Sequence, residues 1–149
     1  MPWYNTGKSG FGNGLLCLWS STTASFYATL VRASYVPAES HVYASAFSGS
    51  ELSSISFTAG FNGTGRISLT GRILNTNHTS NQAEFQATGL IWSGLSAGTA
   101  AALIVLQQTG SDGLSPLIAF TCAGGFPIIT NGTNLTVSFT SAGVLDVTD

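Results

Sequence analysis

The feature that most restricts the fold of this chain is a two-residue repeat of side-chain character. In residues 66–74, Ile67, Leu69 and Ile73 share one parity while Arg66, Ser68, Thr70 and Arg72 take the other. Leu135, Val137 and Phe139 repeat the pattern against Thr136, Ser138 and Thr140. Successive side chains of a strand point to opposite faces, so each run predicts a strand with one face in a core and one in water. A helix would scatter the same residues around its circumference. The six apolar residues are therefore predicted to face inward.

Similar short runs, rich in β-branched and aromatic residues, recur between clusters of Gly, Ser and Asn. They predict strands at 15–19, 25–32, 66–74, 82–86, 89–92, 101–107, 117–121 and 135–140, the pattern of an antiparallel β-sandwich or jelly-roll-like domain. The apolar run 100–106 fits a strand buried on both faces or a helical turn, and Gly98 and Gly110 hold it to strand length. Between 40 and 54 the alternation fails, and Val42, Phe47 and Leu52 suit a short helix or a packed loop. No internal repeat is present, and Asn62-Gly63 and Asn131-Gly132 read as tight turns rather than linkers. Residues 15–149 thus read as one all-β domain.

Residues 1–14 stand apart. Gly7, Gly10, Gly12 and Gly14 are interleaved with Trp3, Tyr4 and Phe11, which predicts an extended arm that either folds back over its own core or lies on a neighbour. Ordering four glycines costs backbone entropy, so the aromatics need apolar partners to hold the arm. Trp3, Tyr4 and Phe11 are the candidate interface residues.

Charge narrows the function classes. Charged residues make up 7% of the chain and the formal net charge is -2, against about 25% charged residues in an ordinary soluble protein. No segment approaches the ~20 apolar residues of a membrane span. Lys8, Arg32, Arg66 and Arg72 are too few for the positive track that phosphate backbones require, so neither nucleic acid nor membrane is an expected partner. A surface of hydroxyls and amides asks only for hydrogen bonds when it is buried, whereas Lys or Glu asks for a partner charge. Such a surface favours contact between subunits.

The start, Met1-Pro2-Trp3-Tyr4-Asn5, lacks a basic segment followed by an apolar run, which predicts synthesis in the cytoplasm. On that reading the Asn-x-Ser/Thr sequences at Asn62, Asn77, Asn131 and Asn134 are turn formers rather than glycan acceptors. Cys17 and Cys122, on apparent strands and without CxxC spacing, are predicted to be buried free thiols rather than a disulfide or zinc ligands.

Motifs for catalysis fail on inspection. Gly7-Lys8-Ser9 resembles the end of a phosphate loop, but Pro2 stands where that loop needs its first glycine. Gly113-Leu114-Ser115-Pro116-Leu117 lacks the second glycine of a nucleophile elbow, so Ser115 reads as a loop closer. His41 and His78 have no neighbouring Asp, and Glu39, Glu51, Glu84, Asp112, Asp146 and Asp149 are too scattered for an acid–base pair or a metal cage. No catalytic residue, metal or cofactor is predicted. Trp3, Trp19 and Trp92 keep a carbohydrate-binding module open, since exposed indoles stack on sugar rings; Trp19 and Trp92, at apparent strand ends, read as core.

Three local patterns together resemble a family of small tailed-phage virion proteins. The first is Phe26-Tyr27-Ala28-Thr29-Leu30-Val31 leading to Ser34-Tyr35-Val36-Pro37, His41 and Tyr43. The second is Gly65-Arg66-Ile67-Ser68-Leu69-Thr70-Gly71, then Ala83-Glu84-Phe85-Gln86-Ala87 and Ile91-Trp92-Ser93-Gly94-Leu95. The third is Asp112-Gly113-Leu114-Ser115-Pro116-Leu117-Ile118-Ala119-Phe120. The glycine-rich arm has no counterpart in the pattern. The resemblance implies a structural, non-catalytic virion component, in first place a head decoration or cement protein, with a neck, tail or fibre subunit as the alternative. The implied partners are the major capsid protein, other virion subunits or further copies of the chain, with assembly in the host cytoplasm.

Overall fold

The computed structural model describes residues 1–13, 19–21, 23, 25–55, 65–79, 82–139 and 145–147. They form a mostly β, antiparallel structure with a single α-helix among the described residues. A central sheet is built from β1 (Phe26–Val31), β2 (Ile67–Ser68), β7 (Ala102–Gln107) and β8 (Leu117–Thr121) in the order β2-β1-β7-β8. β1 pairs with β7 over six residues, from Phe26 opposite Gln107 to Val31 opposite Ala102.

Both faces of this sheet are buried, and the strands alternate between two cores. Phe26, Ala28 and Leu30 of β1 and Leu103 and Val105 of β7 enter one core, with Trp19, Leu69, Phe85, Leu90, Trp92 and Leu95. Val31, Ala102, Ile104 and Leu106 enter the other, with Tyr4, Tyr35, Ala44 and Phe47. Period two therefore survives where hydropathy alone shows one unbroken apolar run, because both neighbours of the sheet are apolar. The 100–106 run is therefore strand rather than helix from 102 onward, with Ala100 closing β6 (Gly98–Ala100). In β8, Val105 faces Ala119 and Leu106 faces Leu117, so Ile118 is an extra residue in a bulge.

The remaining strands make shorter antiparallel ladders: β3 (Ile73–Asn77) with β4 (Gln82–Gln86) and β11 (Leu145–Val147), β5 (Leu90–Trp92) with β10 (Leu135–Val137), and β6 (Gly98–Ala100) with β9 (Ile128–Thr130). β6, β9 and β11, three residues each, lie outside the strands that the sequence predicts. Residues 15–18 and the Asn62-Gly63 turn lie outside the described residues, and Trp19 sits in a turn. The predicted strand 66–74 is broken: between the end of β2 at Ser68 and the start of β3 at Ile73, Gly71 adopts φ +59, a left-handed conformation that turns the chain onto a new course. Parity cannot cross such a break. Leu69 is 1% exposed as predicted, but Ile73 is 53% exposed. Leu135, Val137 and Phe139 pack at the margin of the first core, with Thr136 and Ser138 outside. Between 40 and 54, a short 3-10 helix, Ala44–Phe47, buries Ala44 and Phe47.

The N-terminal segment differs from an extended arm. Pro2 to Tyr4 lie along the free edge of β8, where Tyr4 N–H donates to Ile118 O at 2.9 Å and Phe120 N–H donates to Pro2 O at 2.9 Å. Asn5–Asn13 then form α1. Glycines disfavour a helix by about 1 kcal/mol each relative to alanine, so this one is held by tertiary contacts. Asn5 N–H donates to Glu39 O, Lys8 pairs with Glu39 at 2.7 Å, and Gly7 lies directly on the Ile118 carbonyl, where a Cβ has no room.

Candidate functional site

The three aromatic interface candidates divide. Tyr4 is fully buried in its own chain, its ring 4.9 Å from that of Phe120 and its hydroxyl 2.9 Å from the Tyr35 hydroxyl. It is a core residue, because the pairing of residues 2–4 with β8 turns its side chain under the central sheet. Trp3 forms a bridge to Ala119 and meets Phe85 edge-on at 5.4 Å, half-buried at the rim of the first core. Phe11 falls on α1, and its side chain lies outside what the structure describes. Folding of the segment onto its own subunit thus takes Tyr4 away from any partner.

The strongest electrostatic feature joins residues that lie scattered along the sequence. Arg66, predicted on a solvated face, is fully buried just before β2. Its Nε and Nη2 donate to Glu51 Oε1 and Oε2 at 2.8 and 3.0 Å, and its Nη1 donates to Asp112 Oδ1 at 2.8 Å and Gln108 Oε1 at 3.2 Å. Thr29 Oγ1 donates to Glu51 Oε1 at 2.9 Å, and the guanidinium lies 5.5 Å from the Phe47 ring centre. Burial alone would loosen the Arg66 proton, but the hydrogen bonds and charges of Glu51 and Asp112 outweigh it and hold the group above its ordinary range. The cluster ties β1, the 47–51 segment, β2 and the 108–112 loop together. Its atoms are occupied by one another, so it is a structural clamp. Glu51 and Asp112 lie 15 and 46 residues from Arg66, and no local motif announces their meeting.

Ser115 and His41 are held in hydrogen bonds within the fold, whereas His78 is exposed. Ser115 is fully buried, with its Oγ donating to Ser111 O at 2.7 Å and accepting from Thr109 N–H at 3.0 Å, which closes the loop before β8. His41 Nδ1 is 2.9 Å from the Tyr35 hydroxyl, completing a Tyr4–Tyr35–His41 chain. Burial pushes the Tyr4 hydroxyl well above the usual tyrosine range, with the bond to Tyr35 adding to it. His78 is exposed, in a turn where Asn77 Oδ1 accepts from Thr79 N–H. Cys122 is exposed rather than buried, because it follows the end of β8, while Cys17 lies outside the described residues.

Among the described residues the surface carries few charges, Arg32 being exposed. Lys8 and Glu39 pair with each other, and Arg72 donates to Leu69 O and Ser21 O while lying 4.8 Å from the Phe26 ring centre. Large apolar side chains remain in water: Val36, Ile55, Leu114 and Ile129 are more than 60% exposed, and Ile73, Leu74 and Ile91 about half. An open groove of about 440 Å³ beside β2 is lined by Ser20, Ser21, Ser25, Ser68 and Thr70 with Tyr27 and Arg72. Trp19 and Trp92 are buried, their N–H groups donating to Gln86 O and Gly65 O, and offer no platform for a sugar. Comparison of the chain with protein-family models, curated proteins and solved structures returns no match.

Proposed function

We propose that the chain is a non-catalytic structural subunit of a phage virion, most specifically a head decoration protein that binds and stabilises an assembled shell. One observation carries the reading: among the described residues most charges are engaged within the subunit, with Arg32 exposed, and the surface is mainly hydroxyls, amides and exposed aliphatic side chains. Arg66, Glu51 and Asp112 are sequestered in the clamp, and Lys8 and Glu39 neutralise each other. A surface of this kind is desolvated against protein at low cost. Repetition does the rest, since a modest contact free energy at each of many equivalent shell sites sums to a large resistance to shell expansion. A neck, tail or fibre subunit uses the same surface in a ring or trimer.

The test is the copy number of the chain in gradient-purified particles from the phage that encodes it. Hundreds of copies per particle support decoration, a few to a dozen support a neck or tail position, and absence from particles overturns the proposal. The hydroxyl-lined groove with Arg72 favours carbohydrate binding as a second reading. Millimolar-or-tighter glycan binding that is lost on Arg72→Ala or Tyr27→Ala would establish it.

A further inference from the structure

We infer that β3 is the edge through which two copies of this chain join, strand to strand, about Asn75. The inference rests on the assembly reading above and names its surface. β3 is the outer strand of its ladder: β4 pairs with it from Ile73 opposite Gln86 to Asn77 opposite Gln82, and no described strand lies along its other side. Neighbouring side chains of a strand take opposite faces, yet Ile73 and Leu74 are 53% and 50% exposed, and Asn75 and Thr76 are exposed as well. Residues 73–76 of the strand are thus exposed on both faces, and among the described residues no strand pairs with its outer edge.

Proteins ordinarily guard such an edge with a charged side chain, a proline or a bulge. The sequence Ile73-Leu74-Asn75-Thr76-Asn77 has neither charge nor proline, and its pairing with β4 shows no irregularity. Arg72, the preceding residue, is drawn back onto Leu69 O and Ser21 O, and Glu84, opposite Asn75 on β4, accepts from Asn77 Nδ2 at 3.0 Å. The partner must therefore present a neutral strand.

A second copy meets that requirement by symmetry. In an antiparallel pair centred on Asn75, the two Asn75 residues stand opposite each other, Leu74 faces Thr76 of the second copy, and Ile73 faces its Asn77. No like charges meet. An amide carries both a donor and an acceptor, so two Asn75 side chains related by a two-fold axis satisfy each other. Leu74, opposite Phe85 within its own ladder, lies diagonal to Leu74 of the second copy, which carries the apolar face across the joint. The two ladders become one six-stranded sheet.

The experiment uses the full chain. Sedimentation equilibrium of the unaltered protein is combined with cross-linking of variants in which Cys17 and Cys122 are replaced by serine. Asn75→Cys places two thiols opposite each other, within the Cα separation of less than about 7 Å that a disulfide needs, whereas Ile73→Cys places them about 13 Å apart along the strand. The expected result is a dimer that Asn75→Cys locks under mild oxidation and Ile73→Cys does not. Leu74→Lys with Thr76→Lys should weaken the dimer about tenfold or more without lowering the melting temperature of the subunit. Association without preferential cross-linking at position 75 overturns this edge as the joint and leaves the assembly reading intact. A chain that stays monomeric overturns the inference by itself, while particle copy number judges the assembly reading separately. Cross-linking of Asn75→Cys only to a different protein's strand also overturns it.

Discussion

The guanidinium of Arg66 holds both carboxylate oxygens of Glu51, at 2.8 and 3.0 Å, in a site where Arg66 has no exposed surface and the Glu51 side chain only 7%. A two-pronged contact of this kind fixes orientation as well as distance. It places the residues after the 3-10 helix against the start of β2, and Asp112 adds the loop ahead of β8. The Lys8–Glu39 pair, about half exposed on both sides, contributes at most about 1 kcal/mol.

Glu51→Ala is expected to destabilise the subunit by about 3 kcal/mol, because it leaves two donors of the buried guanidinium without acceptors, with Asp112 as the remaining counter-charge. Arg66→Ala should cost a similar amount by stranding two carboxylates. The double variant should cost less than the sum of the two, since each single change already forfeits the shared contact. Urea denaturation midpoints read all three.

Alkaline pH should unfold the protein through Tyr4 and Tyr35. Burial raises both hydroxyls above the ordinary value of 10.0. In the unfolded chain they lose protons near pH 10 while the folded chain retains them. Their contribution is therefore complete below about pH 10 and falls as pH rises, by up to about 1.4 kcal/mol per pH unit for each tyrosine. Tyr4→Phe should remove one tyrosine's share of that slope, measured as melting temperature between pH 9 and 11.5.

Gly7→Ala should destabilise despite alanine's better helix propensity. The added methyl meets the Ile118 backbone, which cannot swing away as a side chain can. Overpacking of this sort costs about 1–3 kcal/mol or more, against a gain of about 1 kcal/mol from propensity. Gly110→Ala, into open space, should change little. Thermal melts of the two variants side by side make the comparison.

Leu69→Asp and Ile73→Asp test the break at Gly71. Leu69 is buried in the first core, so a carboxylate there should cost more than about 4 kcal/mol and leave little folded protein. Ile73 is half exposed, and aspartate there should stay within about 1 kcal/mol. Equal losses would show that one continuous strand spans both positions.

The sequence by itself determined the all-β, antiparallel character of the fold, the approximate limits of several strands and the inward parity of Leu69. Gln82–Gln86 and Leu117–Thr121 fall where alternation and apolar content placed them, because those signals depend only on neighbouring residues. Ile73 escaped the pattern because one left-handed glycine resets a strand's course, and periodicity carries no information across it. The tertiary structure alone decided the rest. Tyr4 became a core residue because a free edge of β8 was there to receive residues 2–4, and a glycine-rich segment became a helix because Glu39 and Ile118 hold it. Arg66, Glu51 and Asp112 look like scattered surface charges in the chain and form one buried clamp in the fold. The physical reason is one of range: backbone alternation is written over two or three residues, whereas a buried ion pair needs partners that only chain reversal brings together.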